Sequence, residues 1–302
     1  LQRLLPQDVQ GLEVNRQRYG LLTNADGGIR DDLMFANCGD HFMLVVNAGG
    51  KHEDFARLRQ GLPDSIALEL LDDRALLAVQ GPKARQTLSR LTPAFGNMRF
   101  MDTATIDIAG ISCWASCSGY TGEDGFEISV AAGQATELAE HLLDCPEISP
   151  IGLGARDSLR LEAGLCLYGH DIDAETTPVS ANLKWAVSPV RRPGGERSGG
   201  YPGADIIAAS WEQGSSQKRV LLDIEGRAPV REGASLVSAE GEVCGRVTSG
   251  GFGPSVGKPV AMGYVDTALA ESGAPIFAEV RKNRIPVSVR TKPFIEQRYY
   301  RG

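Results

Sequence analysis

The first part of the chain alternates between apolar and polar positions in short runs that are separated by turn residues. Residues 19–23 lead into Asn-Ala-Asp-Gly-Gly at 24–28, whose composition is typical of a hairpin turn, and residues 29–37 form the next run. A second turn, Cys-Gly-Asp at 38–40, separates that run from residues 41–47. The pattern predicts a meander of three strands.

Further along the chain, helical and strand-like spacing alternate. A Gly-Pro pair at residues 81–82 opens a helix, because proline is favoured in the first turn of a helix. The predicted helices are 50–61, 82–91, 133–143 and 152–163, and the predicted strands are 66–71, 75–79, 104–108, 111–117 and 124–130. The helix over 152–163 places Arg156 and Arg160 on one face, since they are four residues apart. The mixture indicates an α+β fold class.

The pattern of predicted elements changes near residue 217. Residues 189–203 are rich in proline and glycine and are predicted to form a surface loop beside a domain boundary. Short β-rich runs then follow at even spacing, at 220–224, 235–238, 243–248, 260–264, 276–280 and 285–289. This spacing predicts a small antiparallel barrel or sandwich. The predicted organisation is a region over 1–194, a linker over 195–216 and a C-terminal β-barrel domain over 217–302.

Composition and charge narrow the class of protein. Apolar residues make up 42% of the 302 residues, and the formal charge is −7. Because no block of basic residues interrupts the chain, nucleic acid is not an expected partner. No apolar run reaches the roughly 18 residues that span a bilayer, so no membrane partner is expected. The six cysteines show no CxxC spacing and the four histidines are scattered, which disfavours a zinc site and favours reduced thiols.

The polar residues that remain as candidates are Asp31 and Asp32 in a predicted strand, Glu127 after a glycine-rich turn, and Arg156 near the start of a helix. Each has an ordinary structural interpretation, since paired aspartates after a hairpin are usually solvated and such an arginine usually lies on an exposed face. Aspartate is nevertheless depleted in strands, so a carboxylate there needs a partner or a ligand. The spacing alone supports an acidic pocket and nothing finer.

Longer sequence words are more specific than these pairs. Residues 119–128 read Gly-Tyr-Thr-Gly-Glu-Asp-Gly-Phe-Glu-Ile, and residues 152–164 read Gly-Leu-Gly-Ala-Arg-Asp-Ser-Leu-Arg-Leu-Glu-Ala-Gly. Further words follow in fixed order at 27–33, 80–82, 167–173, 248–250 and 261–265. Together they resemble the glycine cleavage T-protein family of folate-dependent aminomethyltransferases, over nearly the whole chain.

The resemblance implies both a fold and a site. The implied fold is a cloverleaf of three domains around a central folate channel, in which residues 1–194 hold parts of two intertwined domains. The family's essential acid falls on Asp31, its pterin-holding carboxylate on Glu127, and its folate-contacting arginine on Arg156. Its other contacts to the folate fall on Tyr19, Asn47, Tyr120, Trp185 and Tyr299. The family also carries a further segment upstream of the position of Leu1, so we expect this chain to lack it.

The residue types suit that ligand. A pterin presents adjacent N–H donors, and a carboxylate such as Glu127 can accept two of them. Tyrosine and tryptophan faces suit a flat ring, and an arginine such as Arg156 can hold a folate oxygen or its glutamate carboxylate. Without the resemblance, Tyr19 and Trp185 would be interpreted as core packing.

The activity implied by the resemblance is transfer of an aminomethyl group. The group would pass from the lipoyl arm of the H-protein to tetrahydrofolate, giving 5,10-methylenetetrahydrofolate and ammonia. Tetrahydrofolate is then a co-substrate, lipoylated H-protein is the partner, and no metal, flavin or nicotinamide is expected. The implied location is the cytoplasm of a bacterium, with the mitochondrial matrix as the alternative.

Two other functions fit the same fold. One is a different folate-dependent demethylase or one-carbon transferase, because a fold does not determine the substrate. The other is a folate-binding assembly factor without catalysis, although relatives of that kind carry a Lys-Gly-Cys-Tyr word that this chain lacks.

Strand geometry separates Asp31 from Asp32. Successive side chains in a strand point to opposite faces, so only one of the two carboxylates can reach a folate bound on one face. The resemblance selects Asp31, and we therefore expect Asp31 to be the catalytic carboxylate.

Overall fold

The N-terminal sheet is an antiparallel meander, in a computed structural model that describes residues 1–281 and 283–302. It consists of β1 (Arg16–Thr23), β2 (Ile29–Asn37) and β3 (Phe42–Val46), in that order. Helix α1 (Lys51–Gly61) follows β3. One face of the sheet packs Leu22 and Phe35 against Leu58 of α1, and the other face packs Leu21 against Leu183. The predicted meander is confirmed, and both of its faces are covered.

A second sheet has the order β4-β7-β6-β5. Its strands are β4 (Arg74–Gln80), β5 (Thr103–Ile108), β6 (Ile111–Ser116) and β7 (Gly125–Ala131). The helices beside it are α2 (Ala84–Leu91), α3 (Ala94–Asn97) and α4 (Ala135–Leu143), the last preceded by a 3-10 turn at Ala132–Gln134. Alternate residues of the strands, such as Ile106 and Ile128, pack against Leu88 of α2 and Leu138 of α4. This sheet therefore has its own core.

The C-terminal part is a closed barrel, as the even spacing of β-rich runs predicts. Its strands pair antiparallel in the order β10-β11-β8-β13-β12-β9, and β9 pairs with β10 to close the ring. They are β8 (Gln217–Ile224), β9 (Ser235–Ser238), β10 (Val243–Gly253), β11 (Lys258–Asp266), β12 (Ile276–Val280) and β13 (Asn283–Arg290), with α7 (Thr267–Ser272) after β11. Together with the two other sheets, the barrel confirms the α+β class.

Helix α5 (Leu153–Glu162) joins the first part of the chain to the barrel. The carboxylate of Glu162 is fully buried and accepts hydrogen bonds from the backbone of Ser255 and Val256 and from the Ser255 hydroxyl, at 2.7–3.1 Å. Leu161 packs on Met262 of the barrel. The position of α5 is thus determined by the barrel as well as by its own sequence.

Two predicted segments differ from the structure. Residues 66–71 form no strand: Ile66 and Leu71 are exposed, and the carbonyl of Ile66 accepts a hydrogen bond from the Arg59 side chain instead of from a neighbouring strand. The run of apolar residues was misleading because a strand also needs a pairing partner.

The second difference lies in the predicted linker over 195–216, which contains α6 (Ala204–Gln213). Gly203, with a φ of +71°, begins this helix, and a Cβ at Gly203 would lie 2.3 Å from the carbonyl oxygen of Asn24 in the first hairpin turn. Ile207 is buried against Tyr201. The loop expected at 189–203 also contains a 3-10 turn at Pro189–Arg191. The domain boundaries themselves stay a prediction.

No helix among the residues that the structure describes is both long and apolar enough to cross a membrane.

Candidate functional site

The hairpin of β1 and β2 carries two aspartates whose side chains lie on opposite faces of the sheet. In the register of the two strands, Leu22 is opposite Asp31, and Leu21 is opposite Asp32. Residues directly opposite each other in an antiparallel pair point to the same face. Leu22 packs on the side of α1, whereas Leu21 packs in the cluster that contains Cys166. The two carboxylates therefore have different neighbours.

The Asp32 carboxylate is held by two neutral donors. Tyr19 Oη donates to Asp32 Oδ2 at 2.9 Å, and Asn47 Nδ2 donates to Asp32 Oδ1 at 2.8 Å. Burial raises the pKa of Asp32, the hydrogen bonds from Tyr19 and Asn47 lower it, and the charge of Asp31 raises it. Burial also raises the pKa of Tyr19 well above its ordinary value, so its phenol remains protonated as a donor.

Asp31 is turned toward the start of α1 and is only 1% exposed. Its Oδ1 accepts a hydrogen bond from Asn47 Nδ2 at 2.7 Å and one from the backbone N–H of Asp32 at 2.8 Å. Asn47 therefore donates to both aspartates and links the two faces at this end of the sheet.

Aromatic side chains cover the face on which Asp32 lies. Trp185, in the 3-10 turn Lys184–Ala186, stacks on Tyr19 with ring centroids 5.4 Å apart and planes 27° apart. The hydroxyl of Tyr120 donates to the carbonyl oxygen of Cys166, a residue of the cluster against which Tyr19 packs. The charge of Asp32 is one cause of the raised pKa of Tyr120, behind burial and the opposing effect of Arg160. Asp32 thus accepts a hydrogen bond from Tyr19, and its charge also acts on the phenol of Tyr120.

Arg156 reaches this group from α5. Its guanidinium carbon lies 4.7 Å from the centroid of the Tyr120 ring, in a cation–π arrangement. Arg156 is exposed, whereas Arg160, one turn later, is 3% exposed and paired with Asp171 at 2.7 Å. The two arginines that are predicted to share a helix face therefore differ in environment: Arg156 is accessible to a ligand, whereas Arg160 forms a buried ion pair.

The side chain of Gln80 packs against the glycine-rich turn over residues 119–125 and forms hydrogen bonds to it. Its amide donates to the carbonyl oxygen of Ser118 at 2.9 Å, and its Oε1 accepts from the Thr121 hydroxyl at 3.1 Å. A Cβ at Gly119 would lie 1.7 Å from Gln80 Oε1, and one at Gly125 would lie 2.6 Å from Gln80 Nε2. Glycine is required at Gly125, where a Cβ would also lie 2.7 Å from the carbonyl oxygen of Val79, whereas a side chain at Gly119 would displace the Gln80 amide.

Glu127 follows the turn on β7 and is opposite Ser116 of β6. Its half-buried carboxylate accepts a hydrogen bond from the Ser118 hydroxyl at 2.7 Å, and Ser118 and Ser116 are hydrogen-bonded at 2.8 Å. The hydroxyl chain orients the carboxylate through Oε2, and no donor within residues 1–281 and 283–302 is hydrogen-bonded to Oε1.

Tyr299 lies beside the same turn. Its ring stacks on Phe100 with centroids 4.2 Å apart, and the neighbouring Arg298 donates its backbone N–H to the carbonyl oxygen of Gly122 at 2.8 Å. Burial raises the pKa of Tyr299.

A cavity of about 630 Å³ opens beside the stacked pair of Tyr19 and Trp185. Arg16, Arg18 and Met101 also line it. A volume of this size is within the range of small-molecule sites. The cavity reaches Tyr19 and Trp185, whereas Asp32, Tyr120 and Glu127 are not among its lining residues.

Comparisons with known proteins show which family this chain resembles. The GCVT N-terminal domain model matches residues 1–191, and the glycine cleavage T-protein C-terminal barrel domain model matches residues 217–296. The mitochondrial aminomethyltransferase of Gallus gallus is 43% identical over 99% of this chain and 77% of the relative, and that of Canis lupus familiaris is 41% identical over 99% and 75%. The crystal structure of the glycine cleavage system aminomethyltransferase T from Bartonella henselae superimposes with a TM-score of 0.89 at 42% identity, over 98% of this chain and 81% of that one.

The chain belongs to the glycine cleavage T-protein family. The family resemblance of its sequence words is therefore confirmed, and with it the prediction that the protein is a transferase of the aminomethyltransferase class.

The structure brings most of the predicted T-protein site residues together, with one exception. Tyr19 and Asn47 contact Asp32 directly, Tyr120 and Trp185 extend the aromatic surface, Arg156 covers Tyr120, and Glu127 and Tyr299 flank the glycine-rich turn. Asp31 is the exception, because its carboxylate lies on the other face of the sheet, toward α1. Asp32, which the family resemblance did not select, lies on the face of Tyr19, and the register of the hairpin is the signal that places it there.

No group of three or more His, Cys, Asp or Glu side chains is arranged to hold a metal ion within 1–281 and 283–302.

Proposed function

We propose that this chain is the tetrahydrofolate-dependent aminomethyltransferase of a glycine cleavage system. It would take the aminomethyl group carried on the lipoyl arm of the H-protein and release 5,10-methylenetetrahydrofolate, ammonia and dihydrolipoyl H-protein. The observation that carries the proposal is a half-buried carboxylate, Asp32, held by Tyr19 and Asn47 beside stacked aromatic rings, in a chain of this family. The proposal implies the cytoplasm of a bacterium or the mitochondrial matrix as its location.

The predicted site residues have the chemistry that a folate requires. Tyr19 and Trp185 offer flat faces for a ring, and Glu127 has a free oxygen and a negative charge for the adjacent N–H donors of a pterin. Arg156, exposed above Tyr120, can pair with a carboxylate or carbonyl oxygen of the rest of the folate. We propose Tyr120 and Tyr299 as further ring contacts, with Tyr299 at the outer side of the turn.

We assign the catalytic role to Asp32, and the expectation for Asp31 is revised accordingly. The side chain of Asp32 shares a face with Tyr19, whereas both oxygens of Asp31 are directed to groups at the end of β3 and the start of α1. A carboxylate at this place would stabilise the positive charge that develops on the transferred one-carbon unit, or accept a proton from the attacking amine. Proximity of the two reactants supplies the rest of the rate.

Turnover with the two substrates tests the proposed function. Ammonia should be released when the protein is mixed with aminomethylated H-protein and tetrahydrofolate, and release should fall to the background rate when folate is omitted. Turnover of a small methylated amine with folate, without turnover of aminomethylated H-protein, would indicate a demethylase of the same fold. Folate binding without turnover of either substrate would indicate an assembly factor.

Glu127→Ala is expected to weaken folate binding by about 2–4 kcal/mol, which is some thirty- to a thousand-fold in Kd. The physical reason is the loss of two charge-assisted hydrogen bonds to the ring. Calorimetric titration with tetrahydrofolate measures the change. The control is Glu137→Ala on the exposed side of α4, which removes the same charge away from the turn and should leave the affinity unchanged. Equal affinities in the two variants would contradict the role of Glu127.

A further inference from the structure

Behind Asp32 lies a second carboxylate pair, formed by Asp31 and Asp54. Asp54 is in the first turn of α1 and is fully buried. Its Oδ1 accepts a hydrogen bond from Arg57 at 3.1 Å, whereas no hydrogen-bond donor of the described residues reaches its Oδ2. That oxygen faces Asp31: a Cβ at Gly50 would lie 2.5 Å from Asp31 Oδ2 and 3.5 Å from Asp54 Oδ2.

Two buried carboxylate oxygens that face each other without a donor between them require a proton. Two negative charges on neighbouring carboxylates repel strongly where water is excluded, so one of the pair remains neutral and donates to the other. Burial raises the pKa of Asp54 to about 7, with further increases from its hydrogen bond to Asp31 and from the charge of Asp31, while Arg57 opposes the shift. Besides Arg57, the groups that face the pair are Asn47, Asp32 and the phenol of Tyr168.

Asn47 connects this pair to the proposed catalytic carboxylate. Its amide nitrogen has two hydrogens, and they go to Asp31 Oδ1 at 2.7 Å and to Asp32 Oδ1 at 2.8 Å. The position of the Asn47 amide therefore depends on the position of the Asp31 carboxylate. If the Asp31 carboxylate moves away from an ionised Asp54, Asn47 loses one of its two acceptors and no longer orients Asp32.

We propose that Asp31 and Asp54 are positioning residues which share one proton, and that this proton holds Asn47 where it orients Asp32. The inference rests on the proposed function, because it takes Asp32 as the catalytic carboxylate. Neither Asp31 nor Asp54 touches the substrate in this arrangement. Ionisation of Asp54 then lowers turnover indirectly, through the displacement of Asp31 and Asn47.

The pH dependence of turnover in Asp54→Asn tests this role. The substituted amide can donate to Asp31 and accept from Arg57 at every pH, so it replaces the protonated acid. We expect the wild-type kcat to decline as the pH rises through about 7, and this decline to be absent in Asp54→Asn, which should keep wild-type turnover near pH 6. Asp54→Ala, which has no donor, should lose about tenfold in kcat with an unchanged Kd for folate.

The control is Glu53→Gln, which removes the neighbouring acid that also pairs with Arg57, at 2.7 Å, but is exposed. It should follow the wild-type pH profile. The same decline in Asp54→Asn as in the wild type, or full turnover in Asp54→Ala, overturns the proposal.

The pH dependence of the free energy of unfolding tests the shared proton without any measurement of activity. The raised pKa means that folded protein keeps a proton which the unfolded chain has lost, so the free energy of unfolding falls as the pH rises from the ordinary Asp value of about 3.9 to about 7. This decrease should be larger in the wild type than in Asp54→Asn, by urea unfolding at several pH values. Identical pH dependence in the two proteins overturns the shared proton. A fully active Asp32→Asn would instead overturn the assignment of Asp32 as the catalytic carboxylate and leave the shared proton standing. Absence of ammonia release from the wild-type protein with aminomethylated H-protein and tetrahydrofolate would overturn the proposed function.

Discussion

Asp32→Asn is expected to lower the turnover of aminomethylated H-protein by about 10²-fold or more. The change keeps the size of the side chain and its acceptor oxygen for Tyr19, but it removes the negative charge and the basic oxygen. Folate should still bind within a few-fold of the wild-type affinity, because the proposed hold on the ring is through Glu127 and the aromatic faces. Ammonia release measures turnover, and calorimetry with tetrahydrofolate measures binding.

Asp31→Asn is the matched comparison for this prediction. It changes the neighbouring carboxylate in the same way, on the face of the sheet that packs toward α1. Its amide can still accept from Asn47 and can donate to an ionised Asp54, so we expect a loss of about tenfold or less. A folded Asp31→Asn without activity, beside an active Asp32→Asn, would contradict the assignment and restore Asp31 as the catalytic acid.

Arg160→Met is expected to reduce the free energy of unfolding by about 3–5 kcal/mol. The guanidinium of Arg160 pairs with the buried Asp171 and donates to Ser249 of the barrel at 2.9 Å. Asp171 also accepts from the hydroxyls of Thr248 and Ser249, so the network ties α5 to β10. Removing the arginine leaves a buried negative charge without its partner. Denaturation in urea, followed by circular dichroism, measures the loss.

Arg156→Met is the control for that measurement. It makes the same substitution one turn earlier in α5, at an exposed position over Tyr120. Surface substitutions of this kind change stability by no more than about 0.5 kcal/mol. Equal losses in the two variants would mean that the buried pair does not stabilise the junction between α5 and the barrel.

Local patterning was sufficient for the strands and for most of the helices. The hairpin of β1 and β2, the second sheet and all of the barrel strands follow from alternation, turn residues and glycine, because these signals act between residues close in the chain. Residues 66–71 carry the same local signal without forming a strand, since no neighbouring strand is available there. Helix α6 was missed because proline and glycine dominate the preceding residues, and its start is set by contact with the first hairpin turn.

The candidate site, like the fold, could be predicted only in part from the sequence. The sequence words by themselves predicted the family and seven of the contacts proposed for the folate, because they consist of specific residue types at fixed positions. Only the tertiary structure showed that Asp32, and not Asp31, shares a face of the sheet with Tyr19, since the cross-strand register gives each carboxylate its face. The tertiary structure also distinguished Arg156 from Arg160. Arg156 is exposed and lies over the Tyr120 ring, whereas Arg160 is buried and paired with Asp171. The pairing of Asp31 with Asp54, 23 residues apart, depends on α1 folding back against β2, and no pattern within either segment contains it.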